Sequence, residues 1–519
     1  MLLAASLATL LAATPAPPMT LPGDATAAAV PADRNTWIVG ARPGRAGAAV
    51  ARRFGGEHVF GGGYVVSTRR ARALAAALRR RGLLVYAQPD TLAKTHQAVP
   101  DDPLSVPPDS WRAAVAEPGL APPAVTPASP LIALVDSQLD PTHPEFAGGN
   151  TTTLPERAVT SSHGTATASV AAAPVNGRGI VGVWPGARAL NVPLPETIAC
   201  SDSAGRIAAA IEHGASVINM SYGSQGLCQP EYVALQLAVA RGIISVAAAG
   251  NEFAAGNPLE FPASLPHVLT VAAVGPTGAA SFFSNQSAAI DLSAPGENIM
   301  TAVPPAVDAD GTQDGYERQS GTSFAAPMVS AAAAWVRAAR PELSADQVAQ
   351  AIRLSARDVG RPGWEPDTGW GMLSVGDALR IEPARRDPGE PNDDVQWVDG
   401  RMLARPAPLI SRGRRPVRLH ALLDVFEDPA DVYRIKVRAR SRARVSANPR
   451  GTDDVALAGY RRSARSLRSR RADRSARRGR RTERITLRNR SRRARVFYVA
   501  VTVQRGVRDL DASYELRVG

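Results

Sequence analysis

Five short apolar runs, Leu131–Val135, Ala187–Val192, Val217–Met220, Ile243–Ala248 and Val268–Val274, alternate with amphipathic helical patterns. A strand that is apolar on both faces has to be covered on both, and helices between successive strands do this, so the pattern predicts an α/β fold with a parallel sheet. In such sheets the chemistry collects where strands end and loops turn outward. Asp136 directly follows the first run, and Asn251 follows Ile243–Ala248 through the small-residue turn Ala249-Gly250. His163 opens the helical run Gly164–Ala173. Further on, Ser320-Gly321-Thr322-Ser323-Phe324-Ala325-Ala326-Pro327 leads into an Ala-rich, helix-forming run that reaches Arg340. Ser323 is therefore expected at the positive end of a helix dipole, with Pro327 in the first turn, where a missing N–H costs nothing.

A serine hydroxyl is a poor nucleophile near neutral pH. It needs a base to take its proton and a carboxylate to orient and stabilise the protonated imidazole. Asp136, His163 and Ser323 supply these three types. Each alone has a plainer reading: a loop cap, a surface helix start, a helix N-cap. Together, Ala133-Leu134-Val135-Asp136-Ser137, His163-Gly164-Thr165, Ala248-Ala249-Gly250-Asn251 and Gly321-Thr322-Ser323-Phe324-Ala325-Ala326-Pro327 resemble the subtilisin-like serine proteases, in the same chain order of Asp, His and Ser. A rival protease family with a GTS serine pairs it with Glu and Asp, and His163-Gly164-Thr165 argues against that family.

The resemblance spans roughly 101–381 and includes Val217–Gly223, which is similar to the family's substrate-binding strand. It implies Asp136 as the orienting carboxylate, His163 as general acid and base, Ser323 as nucleophile, and Asn251 as an oxyanion donor beside the backbone N–H of Ser323. Ser221, Tyr222, Gly223, Ala249 and Gly250 would hold the substrate. By the same resemblance Glu260, just ahead of Phe261-Pro262, would form the floor of the pocket for the residue before the scissile bond, with Glu252 near its rim. Two readings stay open there: a carboxylate that selects Arg or Lys, or a Glu260 turned to solvent and a pocket for large apolar side chains. Gln138 stands where the family usually has glycine, and Ala166-Thr167-Ala168-Ser169 replaces its more usual segment; neither removes a reacting group. The resemblance also implies structural calcium, with Glu145 and Asn176 at ligand positions.

The chain of 519 residues is too long for one core and is expected to hold several domains. Its net charge of +13 is local: 461–495 holds seventeen Arg against Asp473 and Glu483, a net +15 that leaves −2 for the remainder. This Arg-rich insert, poor in aromatic residues, reads as a solvated, partly disordered loop, or else as a contact for a polyanion. Residues 1–30 are signal-like, with Ala25-Thr26-Ala27 as a small-residue cleavage site but no Lys or Arg before Arg34. No other stretch is long enough to span a membrane. Residues 34–97 read as a βαββαβ unit similar to the family's inhibitory propeptide, Ala93–Pro130 as a linker, 101–383 as the peptidase domain, and 387–519 as a region resembling the pre-peptidase C-terminal β-sandwich. Cys200 and Cys228 fall inside one expected domain at a spacing a disulfide could close in an exported protein, or are two buried thiols; the resemblance places both near the substrate cleft. The whole reads as a secreted, self-processed serine endopeptidase acting on polypeptides. A peptide-binding pseudoprotease and a polyanion-binding secreted protein are the alternatives.

Overall fold

The structure, a computed structural model, describes residues 36–59, 62–90, 92–95, 110–117, 120–146, 150–154, 158–176, 179–384, 387, 389–403, 405–411, 416–450, 454–504 and 511–519. The signal-like segment and residues 96–109 of the expected linker lie outside these. The chain divides into two compact units, one dominated by 49–384 and the other by 385–519.

The first unit begins with β1 (Thr36–Ala41), a helix at Arg45–Arg53, β2 (Glu57–His58), β3 (Gly63–Ser67), a helix at Thr68–Arg80 and β4 (Leu84–Pro89). The strands form an antiparallel sheet in the order β2-β3-β1-β4, and the second helix buries Ala71, Leu74, Ala75 and Leu78. These four are spaced i, i+3, i+4 and i+7, the single apolar stripe of a helix lying on one sheet face. The expected βαββαβ order is thus present.

The largest sheet comprises β6 (Ile132–Asp136), β7 (Thr151–Thr153), β8 (Ala189–Pro193), β10 (Val217–Met220), β12 (Ile244–Ala248), β13 (Val268–Val274) and β14 (Leu292–Pro295). Its order is β14-β13-β12-β10-β6-β8-β7, with every pairing parallel. The helix Thr322–Ala339 packs on β10, β12, β13 and β14 and against the helix His163–Ala172. Residues 322–336 of it are all buried, which is why it is apolar all round rather than striped. A second pair of helices, Cys200–Glu212 and Gln229–Ala240, pack on one another and on β6, β8 and β12. Among the described residues no helix is long and apolar enough to cross a membrane.

Two expectations need correction here. Pro327 is the sixth residue of its helix, not a first-turn residue. The segment Leu92–Thr95, expected as the end of the small unit and the start of a linker, is a strand, β5, lying between β9 (Ile198–Ala199) and β11 (Tyr222–Gly223) in a three-stranded sheet.

The second unit is a sandwich. One sheet is β17 (Leu409–Ser411), β19 (Ala430–Val437), β24 (Arg495–Val503), β21 (Val455–Arg461) and β22 (Arg471–Ser475); the other is β18 (Val417–Asp424), β25 (Asp511–Val518), β20 (Ser441–Pro449) and β23 (Glu483–Asn489), each in that spatial order. Their inner faces share one apolar core that includes Ile435, Val445, Leu457, Leu487, Val499 and Leu516. The Arg-rich segment is not one loop: it holds β22 and β23 joined by turns, and in β23 Ile485 and Leu487 alternate with Arg484, Thr486 and Arg488 and fill inward positions that composition alone conceals.

Candidate active site

Asp136 is the last residue of β6 and is fully buried. Its Oδ1 accepts from the Ser137 N–H at 2.7 Å and lies 2.6 Å from His163 Nδ1, while its Oδ2 accepts from Thr167 Oγ1 at 3.0 Å. Both oxygens are thereby fixed, and the imidazole is held from the Nδ1 side, which directs Nε2 away from the carboxylate. His163 opens its helix, as expected, and the next residue approaches the loop after β6 so closely that a Cβ on Gly164 would lie 2.1 Å from the Ser137 carbonyl oxygen. Only glycine allows this approach. Thr167 was legible only as a departure from the family's segment, not as a partner of Asp136. Gln138 is buried and bonds Leu139 O and Thr153 Oγ1, away from the reacting groups.

Ser323 is the second residue of the helix Thr322–Ala339 and is fully buried. Pro327 explains an adjoining contact. Its ring nitrogen has no hydrogen to give the carbonyl four residues back, which is that of Ser323. That oxygen instead accepts from Ser221 Oγ at 2.9 Å. Ser221 Oγ in turn accepts from Asn219 Nδ2 at 3.0 Å, and Asn219 Oδ1 accepts from Ser330 Oγ at 2.9 Å. The break in the helix ladder thus ties the end of β10 to the serine.

Asn251 follows β12 as expected. Its Oδ1 accepts from both the N–H and the hydroxyl of Thr322, each at 2.9 Å, which fixes which end of the amide is the donor. A Cβ built on Gly321 would lie 3.2 Å from Asn251 Nδ2 and 3.7 Å from the Ser323 nitrogen. Both nitrogens therefore border the same point beside Gly321.

The stretch after β10 and the turn after β12 both come close to Glu260 or to its neighbour Phe261. Ser224 and Phe261 exchange two backbone hydrogen bonds, at 2.9 and 2.8 Å. Gly250, at φ +107°, leaves a space whose Cβ position is 2.4 Å from Asn285 Nδ2, 2.9 Å from Glu260 Cγ and 3.0 Å from Glu252 Oε2. Glu260 is 1 % exposed, so it is turned inward and not to solvent. The buried Glu231 carboxyl accepts from Tyr222 OH at 2.9 Å, and burial pushes its pKa up to about 7.

The chain's own β5 runs antiparallel to β11, with Thr95 opposite Tyr222 and Lys94 opposite Gly223, and on its other side Leu92 and Ala93 pair with Ala199 and Ile198. The end of β4 anchors it. Asp90 Oδ1 accepts from the Ser201 N–H at 3.0 Å and Gln88 Oε1 from the Gln229 N–H at 2.6 Å, so each caps the exposed first turn of a neighbouring helix. Cys200 and Cys228 join those same two helix starts by a disulfide.

The calcium expectation fares less well. Glu145 and Asn176 do meet, but Glu145 Oε2 accepts from Tyr316 OH at 2.7 Å and from the Ile180 N–H at 3.3 Å, and Asn176 turns its amide donor toward Glu145. Proton donors occupy the positions a cation would need, so this pair does not fit calcium. Acidic groups able to hold a metal ion do occur in the second unit, where oxygens of Asp387, Asp428 and Asp431 lie within 4.8 Å of one another.

The Asp136–His163 pair at the carboxyl end of β6 and the serine at the start of the helix packed on the same parallel sheet make up the candidate site of this α/β scaffold. The chain belongs to the subtilase family, whose model matches residues 128–371. It is 30 % identical over 239 residues to a subtilisin of Bacillus pumilus, covering 44 % of this chain and 84 % of that one. It is 32 % identical over 287 residues to fervidolysin of Fervidobacterium pennivorans, covering 48 % of this chain and 40 % of fervidolysin. A probable subtilase-type serine protease of Deinococcus radiodurans is 34 % identical over 228 residues, 41 % of this chain and 31 % of that protein. The chain thus spans under half the length of these last two relatives. The crystal structure of fervidolysin, described as a keratinolytic enzyme related to subtilisin, superposes with a TM-score of 0.57 at 18 % identity, over 87 % of this chain and 84 % of that one. This likeness concerns the fold.

Proposed function

We propose that the chain is the precursor of a secreted serine endopeptidase that cuts itself just beyond Thr95. The observation that carries this reading is the pairing of its own segment Leu92–Thr95 with Tyr222–Gly223, the strand the family uses for substrate. A chain that lays its own backbone along that strand, toward a serine, is arranged as substrate and inhibitor at once.

In the proposed reaction His163 Nε2 takes the Ser323 proton as Oγ attacks the carbonyl carbon, and Asp136 stabilises the imidazolium through Nδ1–H. Asn251 Nδ2 and the Ser323 N–H receive the oxyanion, with the start of the helix adding its positive dipole end. His163 then protonates the leaving amine, and water repeats the sequence on the acyl-enzyme. Secretion is supported by the disulfide, which belongs to oxidising compartments.

Glu260 supports a preference for Arg or Lys before the scissile bond in separate substrates; at the chain's own bond, where Thr95, His96 and Gln97 offer neither, the pairing of Leu92–Thr95 with β11 does the positioning. A carboxylate in a dehydrated pocket bonds a cationic side chain by roughly 1.5–3 kcal/mol. Glu260→Gln should lower the Arg-to-Phe ratio of kcat/KM by at least about tenfold, by the same principle; an unchanged ratio rejects the acidic pocket. Activity itself is tested by a fluorophosphonate probe. Labelling of the wild type and none of Ser323→Ala is expected, whereas an unlabelled wild type would favour a peptide-binding pseudoprotease.

A further inference from the structure

The turn that carries Asn251 leaves the core almost at once. β12 and Ala249 are buried, but residues 253–256 are all exposed. Packing therefore does not hold the backbone just beyond Asn251, and hydrogen bonds have to. Asn285, a buried residue in the loop between β13 and β14, supplies them. Its N–H donates to Gly250 O at 2.9 Å, and its Oδ1 accepts from the Glu252 N–H at 2.7 Å. That carbonyl belongs to the peptide group before Asn251 and that N–H to the one after it, so the two planes that set the φ and ψ of Asn251 are held by one residue. Asn285 Nδ2 also donates to Pro258 O at 3.2 Å, which ties down the far end of the exposed segment.

The clamp is itself anchored on the sheet. The Ser281 N–H donates to Ala273 O at 2.9 Å and the Ala273 N–H to Ser284 Oγ at 3.0 Å, so the loop is fastened to the end of β13, the strand beside β12. Gly250 shows how closely the amide fits. With φ at +107° and a Cβ position 2.4 Å from Asn285 Nδ2, only glycine admits it. The side chain of Asn251 is held separately, by the N–H and hydroxyl of Thr322 on its Oδ1. Backbone and side chain are thus fixed by two different elements, which leaves Nδ2 little freedom of direction. That matters for a donor whose worth lies in being in place before charge develops, since a displacement of about 1 Å can cost roughly a hundredfold in rate. Asparagine suits the position because one short planar group offers both an acceptor and a donor. A carboxylate would lose the donor and stand beside Glu252, whose Oε2 lies 3.5 Å from Nδ2.

We propose that Asn285 is a positioning residue of the hydrolytic reaction, one that holds the backbone of Asn251 so that Nδ2 meets the oxyanion. The assignment rests on the reading of Asn251 as oxyanion donor. The test is steady-state hydrolysis of one small peptide by the wild type, Asn285→Ala, Asn251→Ala and the double variant. In each, kcat is referred to the cut form, quantified by intact mass, and folding is followed by thermal melting. Asn285→Ala should lower kcat about tenfold to a hundredfold, with KM within roughly threefold of the wild type. Asn285→Asp keeps the acceptor for the Glu252 N–H and should recover part of that loss. In the Asn251→Ala background, the Asn285→Ala step should cost less than about twofold, because the group it positions is gone. If the alanine variant does not fold, Asn285→Ser takes its place in the cycle with the same expectations. A loss of equal size in both backgrounds, a loss confined to KM, or no loss at all would overturn the assignment. Asn251→Ala with kcat unchanged would instead remove the oxyanion reading, and the assignment with it.

Discussion

Asn251 and Thr167 separate two kinds of contribution to the proposed reaction. Asn251 is positioned by Thr322 but has its effect only when the oxyanion forms. Asn251→Ala should therefore lower kcat by about 10²–10³-fold with a smaller change in KM, read from steady-state kinetics on a peptide substrate. Thr167 acts through Asp136, whose Oδ2 accepts from its hydroxyl at 3.0 Å. Hydrogen bonds to charged groups contribute about 1.5–3 kcal/mol, so Thr167→Val should cost roughly tenfold in kcat/KM, with Thr167→Ser restoring most of it. Glu231 gives a pH signature of its own. Its folded pKa of about 7 lies above the usual 4.5, so folding takes up a proton between these values. The stability it contributes is full below 4.5 and is lost as pH rises through 7. Glu231→Gln can still accept from Tyr222, so thermal melts of the variant should show a higher Tm at pH 8 and a flatter pH profile. An unchanged profile would contradict a buried, proton-holding Glu231.

At the scale of elements, what could be read from the sequence depended on whether neighbours in sequence were also neighbours in space. Buried parallel strands are continuous apolar runs, and β6, β10, β12 and β13 fall within a residue or so of where those runs place them. Their carboxyl ends brought Asp136 and Asn251 to one edge for the same reason. Pro327 was misplaced because the first turn begins at Thr322, a boundary set by the loop's bonds to Asn251 rather than by helix propensity. Leu92–Thr95 carries too few residues to announce a strand, and its partners lie over a hundred residues away. The arginines of β23 read as disorder because charge outweighs Ile485 and Leu487 in any average, although alternation is intact. Asp90 and Gln88 were illegible as caps, since the helices they cap begin at Cys200 and Gln229. Asp90→Ala should remove about 1 kcal/mol of the docking of the small unit. Cleavage time courses of the wild type and the variant should then show faster release of the small unit after the cut; equal rates would mean the cap adds nothing.

Over the whole molecule, the bridge between Cys200 and Cys228 joins the two helix starts on which the small unit rests. Replacing both by Ser should cost about 3–4 kcal/mol and lower the Tm of the first unit, as calorimetry would show, without touching the reacting groups. The central claim is that the chain is its own first substrate. Intact-mass analysis of the purified wild type and the Ser323→Ala variant, each expressed alone, tests it most directly. The account predicts that the wild type is cut within two residues C-terminal to Thr95 while Ser323→Ala keeps that bond whole; cutting at the same bond in both, or an uncut wild type, would contradict it.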